Sequence, residues 1–144
     1  MRPIAVLVAL AFALPAVAAP EAPPKSGVRT EAEAQKQVAP SGKAHITHLA
    51  EGRNAYVGKL VVEAGAAIPE HADDSEEYIH VLEGTGTITL DGEAKKVGPG
   101  DTVFMAAKAK VSYQNGPTRM VAIQVFAGPE SAVKYQNWKA APAK

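Results

Sequence analysis

Apolar and polar residues alternate along several short stretches in the middle of the chain. Between residues 56 and 63 every second position is apolar or glycine, while Lys59 and Glu63 fall on the opposite face. Period-two alternation is typical of a strand with one buried face. We predict strands at residues 45–49, 56–63, 78–82, 87–90, 93–97, 102–105, 111–114 and 120–126, with the first of these at a sheet edge.

Turn signals separate these stretches and define the fold class. The pair Asp91-Gly92, between two predicted strands, is a strong signal for a two-residue hairpin. Roughly eight short strands without a helical pattern between them indicate an all-β fold, either an antiparallel sandwich or a barrel. Residues 41–127 are predicted to form one β-barrel domain.

Residues 1–18 have the order of parts of a secretory signal peptide. A positive start is followed by an uninterrupted apolar run at residues 4–14 and by the small residues Ala16-Val17-Ala18. The run is too short to span a bilayer, which makes an uncleaved anchor the weaker alternative. We therefore expect cleavage after Ala18 and a protein of the periplasm or the medium, with no membrane span after processing.

The segments that flank the strand region have weaker patterns. Residues 19–40 are rich in Ala, Pro, Glu and Lys and are expected to be a mobile leader. Within them Thr30 and Glu33 fit a capping box, so a short helix at residues 31–37 is the alternative. Residues 128–144 are expected to form a tail packed on or beside the barrel, anchored by Trp138, the only tryptophan.

Composition excludes several function classes. The chain has no cysteine, so disulfides, thiolate metal ligands and thiol catalysis are excluded. Fifteen basic residues balance fifteen acidic ones without a basic stripe, so nucleic acid is not an expected partner. The sequence also lacks the Gly-x-Ser-x-Gly elbow of many hydrolases and the glycine-rich loop that binds phosphates.

The densest group of chemistry-bearing side chains lies just before the predicted strand at residues 78–82. His71 is followed within six positions by four carboxylates, and such a density is costly unless water, a cation or a basic ligand neutralises it. Strand alternation places Glu77, Ile79 and Val81 on one face and sends His80 to the other. The four carboxylates are Asp73, Asp74, Glu76 and Glu77.

The stretch from Gly65 to Gly84 resembles the first sequence motif of the cupins, which reads Gly, five residues, His-x-His, three or four residues, Glu, six residues, Gly. His71 and Glu77 stand at matching positions, and Asp73 stands in place of the second histidine. The resemblance covers roughly residues 44–126. It implies a single cupin-like double-stranded β-helix, a jelly-roll type barrel, with a ligand pocket inside.

The region that resembles the second cupin motif has lost its histidine. That motif reads Gly, five residues, Pro-x-Gly, two residues, His, three residues, Asn. Counting from Gly100, Ala106 and Lys108 occupy the proline and glycine positions, and Val111 occupies the histidine position. Asn115 is retained at the last position of the motif. Because valine cannot coordinate a metal, the three-histidine, one-carboxylate set of typical metal-bearing cupins is incomplete here.

The resemblance implies a degenerate metal site made of His71, Asp73 and Glu77. This oxygen-rich set favours Mn, Mg or Ca over Cu, and Zn or Fe becomes possible when water or ligand completes the shell. The expected cofactor, if any metal binds, is Mn, Fe or Zn. His45 and His48 are not expected to join it. The alternatives are an acid–base pair of His71 and Glu77 without metal, or a solvated acidic loop. The predicted ligand-pocket residues are His71, Glu77, Ile79, Val81 and Val111.

Three functions follow from this reading. The first is an exported binding module whose pocket holds a small molecule, either a sugar or an organic metabolite. The second is a metal-dependent enzyme, an isomerase, dioxygenase or lyase, that uses His71, Asp73 and Glu77. The third is a homodimeric structural or interaction module with His80 and Leu82 at the interface.

Overall fold

The structure, a computed structural model, describes residues 24–128 and 135–142. The described residues form strands and turns, and none of their segments is a helix long and apolar enough for a membrane crossing. The predicted signal peptide at residues 1–18 lies outside the described residues. The strands are β1 (Lys36–Val38), β2 (Ala44–Glu51), β3 (Ala55–Val62), β4 (Ala67–His71), β5 (Glu76–Glu83), β6 (Gly86–Leu90), β7 (Glu93–Val97), β8 (Thr102–Met105), β9 (Val111–Asn115), β10 (Met120–Ala127) and β11 (Lys139–Ala140).

The strands form two antiparallel sheets. One sheet has seven strands in the order β11-β1-β2-β3-β10-β5-β8, and the other has four in the order β4-β9-β6-β7. The chain moves between the sheets at β3–β4, β4–β5, β5–β6, β7–β8, β8–β9 and β9–β10, as expected for a double-stranded β-helix. The all-β prediction is therefore confirmed.

The core is built by the alternation seen in the sequence. Along β3 the burial alternates strictly, and Tyr56, Leu60 and Val62 are all buried. On β10 the residues Ala122 and Phe126 are buried in the same core, beside β3. Period-two burial of this kind places one face of each sheet against the other and leaves the outer faces in contact with solvent.

The predicted Asp91-Gly92 hairpin is confirmed. Leu90 pairs with Glu93, and Asp91 and Gly92 have φ angles of 47° and 88°. Positive φ at both central residues is the geometry of the tight hairpin turn whose twist matches that of the strands. The Asp91 carboxylate also accepts the backbone N–H of Lys110 at 2.9 Å, which ties this turn to the start of β9.

The two glycines that bound the first motif have a conformational reason to be there. Gly84 has φ of 79°, and a Cβ at this position would lie 2.4 Å from the carbonyl oxygen of Arg119. Gly65 has φ of 67°, and its N–H donates to the carbonyl of Gly116 at 2.8 Å. Left-handed backbone and close backbone approach both favour glycine over residues with a side chain.

The N-terminal part of the described chain differs from the prediction. The leader expected over residues 19–40 contains β1, which covers β2, so residues 45–49 are not an edge strand. The alternative helix at residues 31–37 does not form, although the capping-box contact does, with the Thr30 hydroxyl donating to Glu33 at 2.7 Å. Seven residues make a marginal helix, and pairing with β2 gives the backbone better partners.

The C-terminal segment returns to the same side of the molecule. β11 pairs with β1, and Gln37 donates its side-chain amide to the carbonyl of Trp138 at 3.2 Å. Trp138 is half-buried, whereas Tyr135 is 6% exposed and packs its ring 5.4 Å from that of Tyr56. Tyr135 is therefore the deeper aromatic contact of this segment.

Candidate functional site

A cavity of about 530 Å³ lies between the two sheets. Its walls are mostly aliphatic and aromatic side chains, including Leu60, Val62, Ile79, Val81, Val103 and Phe126. The five residues predicted for the ligand pocket, His71, Glu77, Ile79, Val81 and Val111, all lie in this lining. A cavity of this size, apolar with a few polar groups, is typical of small-molecule sites.

The polar groups of the predicted site meet at one place on the cavity wall. His71 ends β4, Asp73 lies in the following turn, and Glu77 is the second residue of β5. One ligand atom from each lies within 4.8 Å of the others. The side chain of His71 is 41% exposed and that of Asp73 is 21% exposed, while Glu77 is buried, so the group lies between solvent and cavity.

The hydrogen bonds of His71 define which ring nitrogen faces the group. Nδ1 lies 2.9 Å from the carbonyl oxygen of Pro69, which can only accept, so Nδ1 carries a hydrogen. Nε2 lies 3.7 Å from the Asp73 Oδ2. With the hydrogen on Nδ1, the Nε2 lone pair points toward the carboxylate, so a metal ion bound between the two would make the arrangement favourable. A backbone carbonyl on the other ring nitrogen is also typical of metal-binding histidines.

Glu77 is the buried member of the group. It is 6% exposed, and its Oε1 accepts a hydrogen bond from the Gln124 amide at 2.5 Å. Burial raises the pKa of Glu77, because the charged form loses hydration, while the Gln124 hydrogen bond and the charge of His71 act in the opposite direction. The Gln124 Oε1 in turn accepts the hydroxyl of Tyr135.

The turn that carries Asp73 is supported by the region of the second motif. The backbone N–H of Lys108 donates to the Asp73 carbonyl. Lys108 has φ of 67°, a left-handed conformation at the position where the motif has glycine. The conformational demand of the motif is therefore present in the fold although the glycine is not.

Val111 lies directly across from His71. The two residues are Cα partners in the β4–β9 pair, and Val111 is 6% exposed. Directly opposed residues of an antiparallel pair have Cβ atoms roughly 5 Å apart when they share a face. Position 111, where the second motif has histidine, therefore carries an apolar side chain immediately beside the remaining donors.

The donor set fits a divalent ion with an incomplete protein shell. One imidazole nitrogen and two carboxylates suit Mn, Fe or Zn, with water or a ligand oxygen in the other positions. Two donor atoms that bind one ion through bonds of about 2.1 Å lie at most about 4.2 Å apart. Donor atoms of this group lie within 4.8 Å of one another, so a pair at that distance would move about 0.6 Å closer on binding. Side-chain rotation of the exposed His71 can supply such a movement.

The other three histidines do not join this group. His45 pairs with Glu63 at 3.2 Å, and His80, on the outer face as predicted, lies 2.9 Å from the Thr102 hydroxyl. His48 lies between Gln37 and Tyr56, at 2.7 and 3.0 Å. Burial lowers the pKa of His48, which favours the neutral ring in this position.

Two residues that contact the site were not anticipated from sequence. Gln124 lies on the inward face of β10, between Ala122 and Phe126, and Tyr135 lies in the C-terminal segment. A lone polar residue on an otherwise apolar strand face is a signal that could have singled out Gln124. Tyr135 has no comparable signal, because its contact with Gln124 depends on the path of the C-terminal segment.

Asn115 stabilises the end of β9 through its side-chain hydrogen bonds. Its amide nitrogen donates to the carbonyls of Val62, Glu63 and Thr118 at 3.1, 2.8 and 3.0 Å, and its oxygen accepts the Tyr113 hydroxyl at 3.0 Å. Four hydrogen bonds from one buried side chain tie the end of β9 to the turns around it. This accounts physically for an asparagine at the last position of the second motif.

Comparisons with known proteins agree with this architecture. The Cupin_2 family, described as a cupin domain, matches residues 58–126. A search of curated proteins found no match. An RmlC-like cupin from Shewanella frigidimarina is similar in structure, with a TM-score of 0.67 and 18% identity over 76% of this chain and 96% of that one.

Two further solved structures share the fold. KdgF from Halomonas sp. has a TM-score of 0.68 and 14% identity over 76% of this chain and 99% of that one. A predicted oxalate decarboxylase from Thermotoga maritima has a TM-score of 0.61 and 18% identity over 72% of this chain and 99% of that one. The family match and these neighbours together support the placement of this chain in the cupin superfamily, and its fold is a cupin double-stranded β-helix.

Proposed function

We propose that this protein is an exported cupin that binds a small organic molecule in its cavity, with the polar end of that molecule directed to His71, Asp73 and Glu77. The observation that carries the proposal is an apolar cavity of about 530 Å³ with these three donors gathered at one place on its wall. The cavity favours an organic metabolite with an apolar body over a sugar. Sugar hydroxyls would lose hydrogen bonds against so many aliphatic side chains.

The three donors hold a divalent ion of the Mn, Fe or Zn type in this proposal. His71 supplies Nε2, because Nδ1 is occupied by the Pro69 carbonyl, and Asp73 and Glu77 each supply a carboxylate oxygen. The bound ion would supply a positive charge and an open coordination position for a ligand oxygen. The apolar wall at Val111 then faces the body of the ligand.

The cavity can be tested with the apolar fluorescent probe N-phenyl-1-naphthylamine. Trp138, the only tryptophan, lines the cavity, so energy transfer from Trp138 to the probe reports that the probe is bound, and a pair of variants then distinguishes the cavity from the surface. Val81→Phe fills part of the cavity, whereas Leu82→Phe changes the neighbouring exposed residue. We expect the probe affinity to fall about tenfold or more in V81F, a loss of about 1.4 kcal/mol, and to be unchanged in L82F. Equal probe binding by the two variants would contradict the proposal.

A metal-dependent enzyme, an isomerase, dioxygenase or lyase, is the second candidate. The buried Glu77 beside His71, with its raised pKa, has the properties of a general acid or base. In this case protein dialysed against a chelator would gain turnover of a substrate on addition of one divalent ion, and His71→Ala would abolish it. Turnover that is indifferent both to the ion and to His71→Ala would eliminate this candidate.

Export rests on the sequence of residues 1–18 alone. We propose that the protein reaches the periplasm or the medium after cleavage behind Ala18. Mass spectrometry of protein from the native host is expected to give an N-terminus at Ala19. A mature chain that still begins near Met1 would refute export by this route.

A further inference from the structure

Three buried polar side chains, from β5, β10 and the C-terminal segment, form a single line of hydrogen bonds that ends at the candidate site. The Tyr135 hydroxyl donates to the Gln124 Oε1, and the Gln124 Nε2 donates to the Glu77 Oε1 at 2.5 Å. Tyr135 and Glu77 are each 6% exposed and Gln124 is 7% exposed. Buried hydrogen bonds of this kind fix side-chain orientation, because leaving any one of the groups unpaired is costly.

The direction of these hydrogen bonds determines which atom of the Gln124 amide faces Glu77. An amide can present either its NH₂ or its oxygen to a neighbour, and only the NH₂ suits a carboxylate. Because the Tyr135 hydroxyl donates to Oε1, the NH₂ of Gln124 is turned toward Glu77. If the amide turned over, its oxygen would face the carboxylate and the Tyr135 hydrogen would lose the acceptor it has here.

We propose that Tyr135 is a positioning residue for the candidate site: it orients the Gln124 amide, which holds one oxygen of Glu77 and leaves the other directed to the ion. The inference rests on the proposed function, in that the ion is the one proposed above. Tyr135 lies outside residues 58–126, so the family match does not include it. The C-terminal segment thus contributes to a site whose ligands all lie in the barrel.

The surroundings of Tyr135 offer a matched control. Tyr56 is also buried, its ring centroid lies 5.4 Å from that of Tyr135, and its hydroxyl bonds to His48 instead of Gln124. Tyr135→Phe and Tyr56→Phe each remove one buried hydroxyl from the same aromatic cluster. Only the first removes the donor to Gln124, so general loss of packing or stability would affect both variants alike.

The first arm of the test requires no metal. In ¹⁵N-labelled metal-free protein, the side-chain amide signal of Gln124 is assigned by its loss in Gln124→Leu. We expect Tyr135→Phe to move this signal and to speed its hydrogen exchange about tenfold or more, while Tyr56→Phe leaves both unchanged. An unchanged Gln124 amide in Tyr135→Phe would overturn the inference whether or not the protein binds metal.

The second arm is a calorimetric titration with Mn²⁺. Loss of a residue that orients a metal ligand typically costs 10–100-fold in affinity, and we expect about tenfold for Tyr135→Phe and less than about twofold for Tyr56→Phe. Equal Mn²⁺ affinity of Tyr135→Phe and wild-type protein would overturn the inference. If wild-type protein binds no Mn²⁺ but its Gln124 amide responds as expected, the proposed ion is refuted. The role of Tyr135 in orienting the Gln124 amide is then still supported.

Discussion

Val111 and His71 face each other across the β4–β9 pair, so a histidine at position 111 would add a fourth donor beside His71. Val111 stands where the second cupin motif has histidine. The fold around it is that of the motif, including the left-handed backbone at Lys108 and the buried Asn115. The departure from the typical metal-bearing cupin is therefore local, and it should be reversible by substitution.

Val111→His is expected to raise the affinity for Zn²⁺ or Mn²⁺ about tenfold or more, equivalent to about 1.4 kcal/mol or more, because it adds a fourth protein ligand beside His71. Val97→His is the control, since Val97 also lines the cavity but lies on β7 and does not pair with β4. Calorimetric titration of metal-free protein measures both. A similar gain in metal affinity in the two variants would contradict this prediction, because any histidine added to the cavity wall would then have the same effect.

Glu77 makes stability depend on pH in a defined direction. Burial raises its pKa in the folded protein above the ordinary value of 4.5, so the unfolded chain loses the proton first as the pH rises. The contribution of Glu77 to stability is fully present below pH 4.5 and is lost as the pH rises through the folded pKa. Glu77→Gln removes this loss and keeps an acceptor for Gln124.

We therefore expect metal-free Glu77→Gln to melt at a higher temperature than wild-type protein at pH 8, with a difference that shrinks toward pH 4. Thermal denaturation in the presence of a chelator measures this. A difference that is constant across pH would show that the charge of Glu77 is not its cause.

At the scale of elements, the turn before β9 has a local cost. Lys108 has φ of 67°, and a left-handed conformation costs a residue with a side chain roughly 1–2 kcal/mol, against roughly 0.5–1 kcal/mol of extra chain entropy for glycine. Lys108→Gly is expected to raise the free energy of unfolding by about 0.5–1 kcal/mol, whereas Lys108→Ala should give no gain. Chemical denaturation of the two variants decides between them.

The strands with clear alternation were predictable, whereas the shortest ones were not. β4 contains Pro69 and is largely exposed, and β1 and β11 are only three and two residues long. Such strands form because a partner strand offers hydrogen bonds, and their own sequence carries no periodic signal. The sequence of β1 therefore predicts only a leader, whereas pairing with β2 and β11 brings it into the sheet.

The same distinction, between what the sequence predicts and what depends on packing, applies to the candidate site. His71, Asp73 and Glu77 are close in sequence and follow a motif, so their meeting could be predicted. Gln124 and Tyr135 are 47 and 58 positions beyond Glu77, and their contacts depend on how β10 and the C-terminal segment pack. Tertiary packing of this kind leaves only a weak trace in a single sequence.

At the scale of the whole molecule, the outer face of β5 and β8 carries exposed apolar side chains. Leu82 is 45% exposed and Phe104 is 51% exposed, and the Phe104 ring lies 5.1 Å from that of Tyr78. His80 lies on the same face of β5. We propose that the protein forms a homodimer with this face, including His80 and Leu82, at the interface.

Sedimentation velocity at micromolar concentration is expected to give a dimer for wild-type protein and a monomer for Phe104→Glu, since a buried unpaired carboxylate opposes association. Val28→Glu is a control at an exposed apolar residue outside this face, being 97% exposed. A wild-type monomer at these concentrations would refute the proposed interface.

The donor group at the cavity wall is tested most directly by a calorimetric Mn²⁺ titration of metal-free wild-type protein beside His71→Ala and His80→Ala. Both substitutions remove one exposed imidazole from the barrel, but only His71 belongs to the group of three donors. We predict one Mn²⁺ per chain, an affinity that falls about tenfold or more in H71A, equivalent to about 1.4 kcal/mol, and an unchanged affinity in H80A. No binding by wild-type protein, or the same affinity in H71A and H80A, would contradict the site.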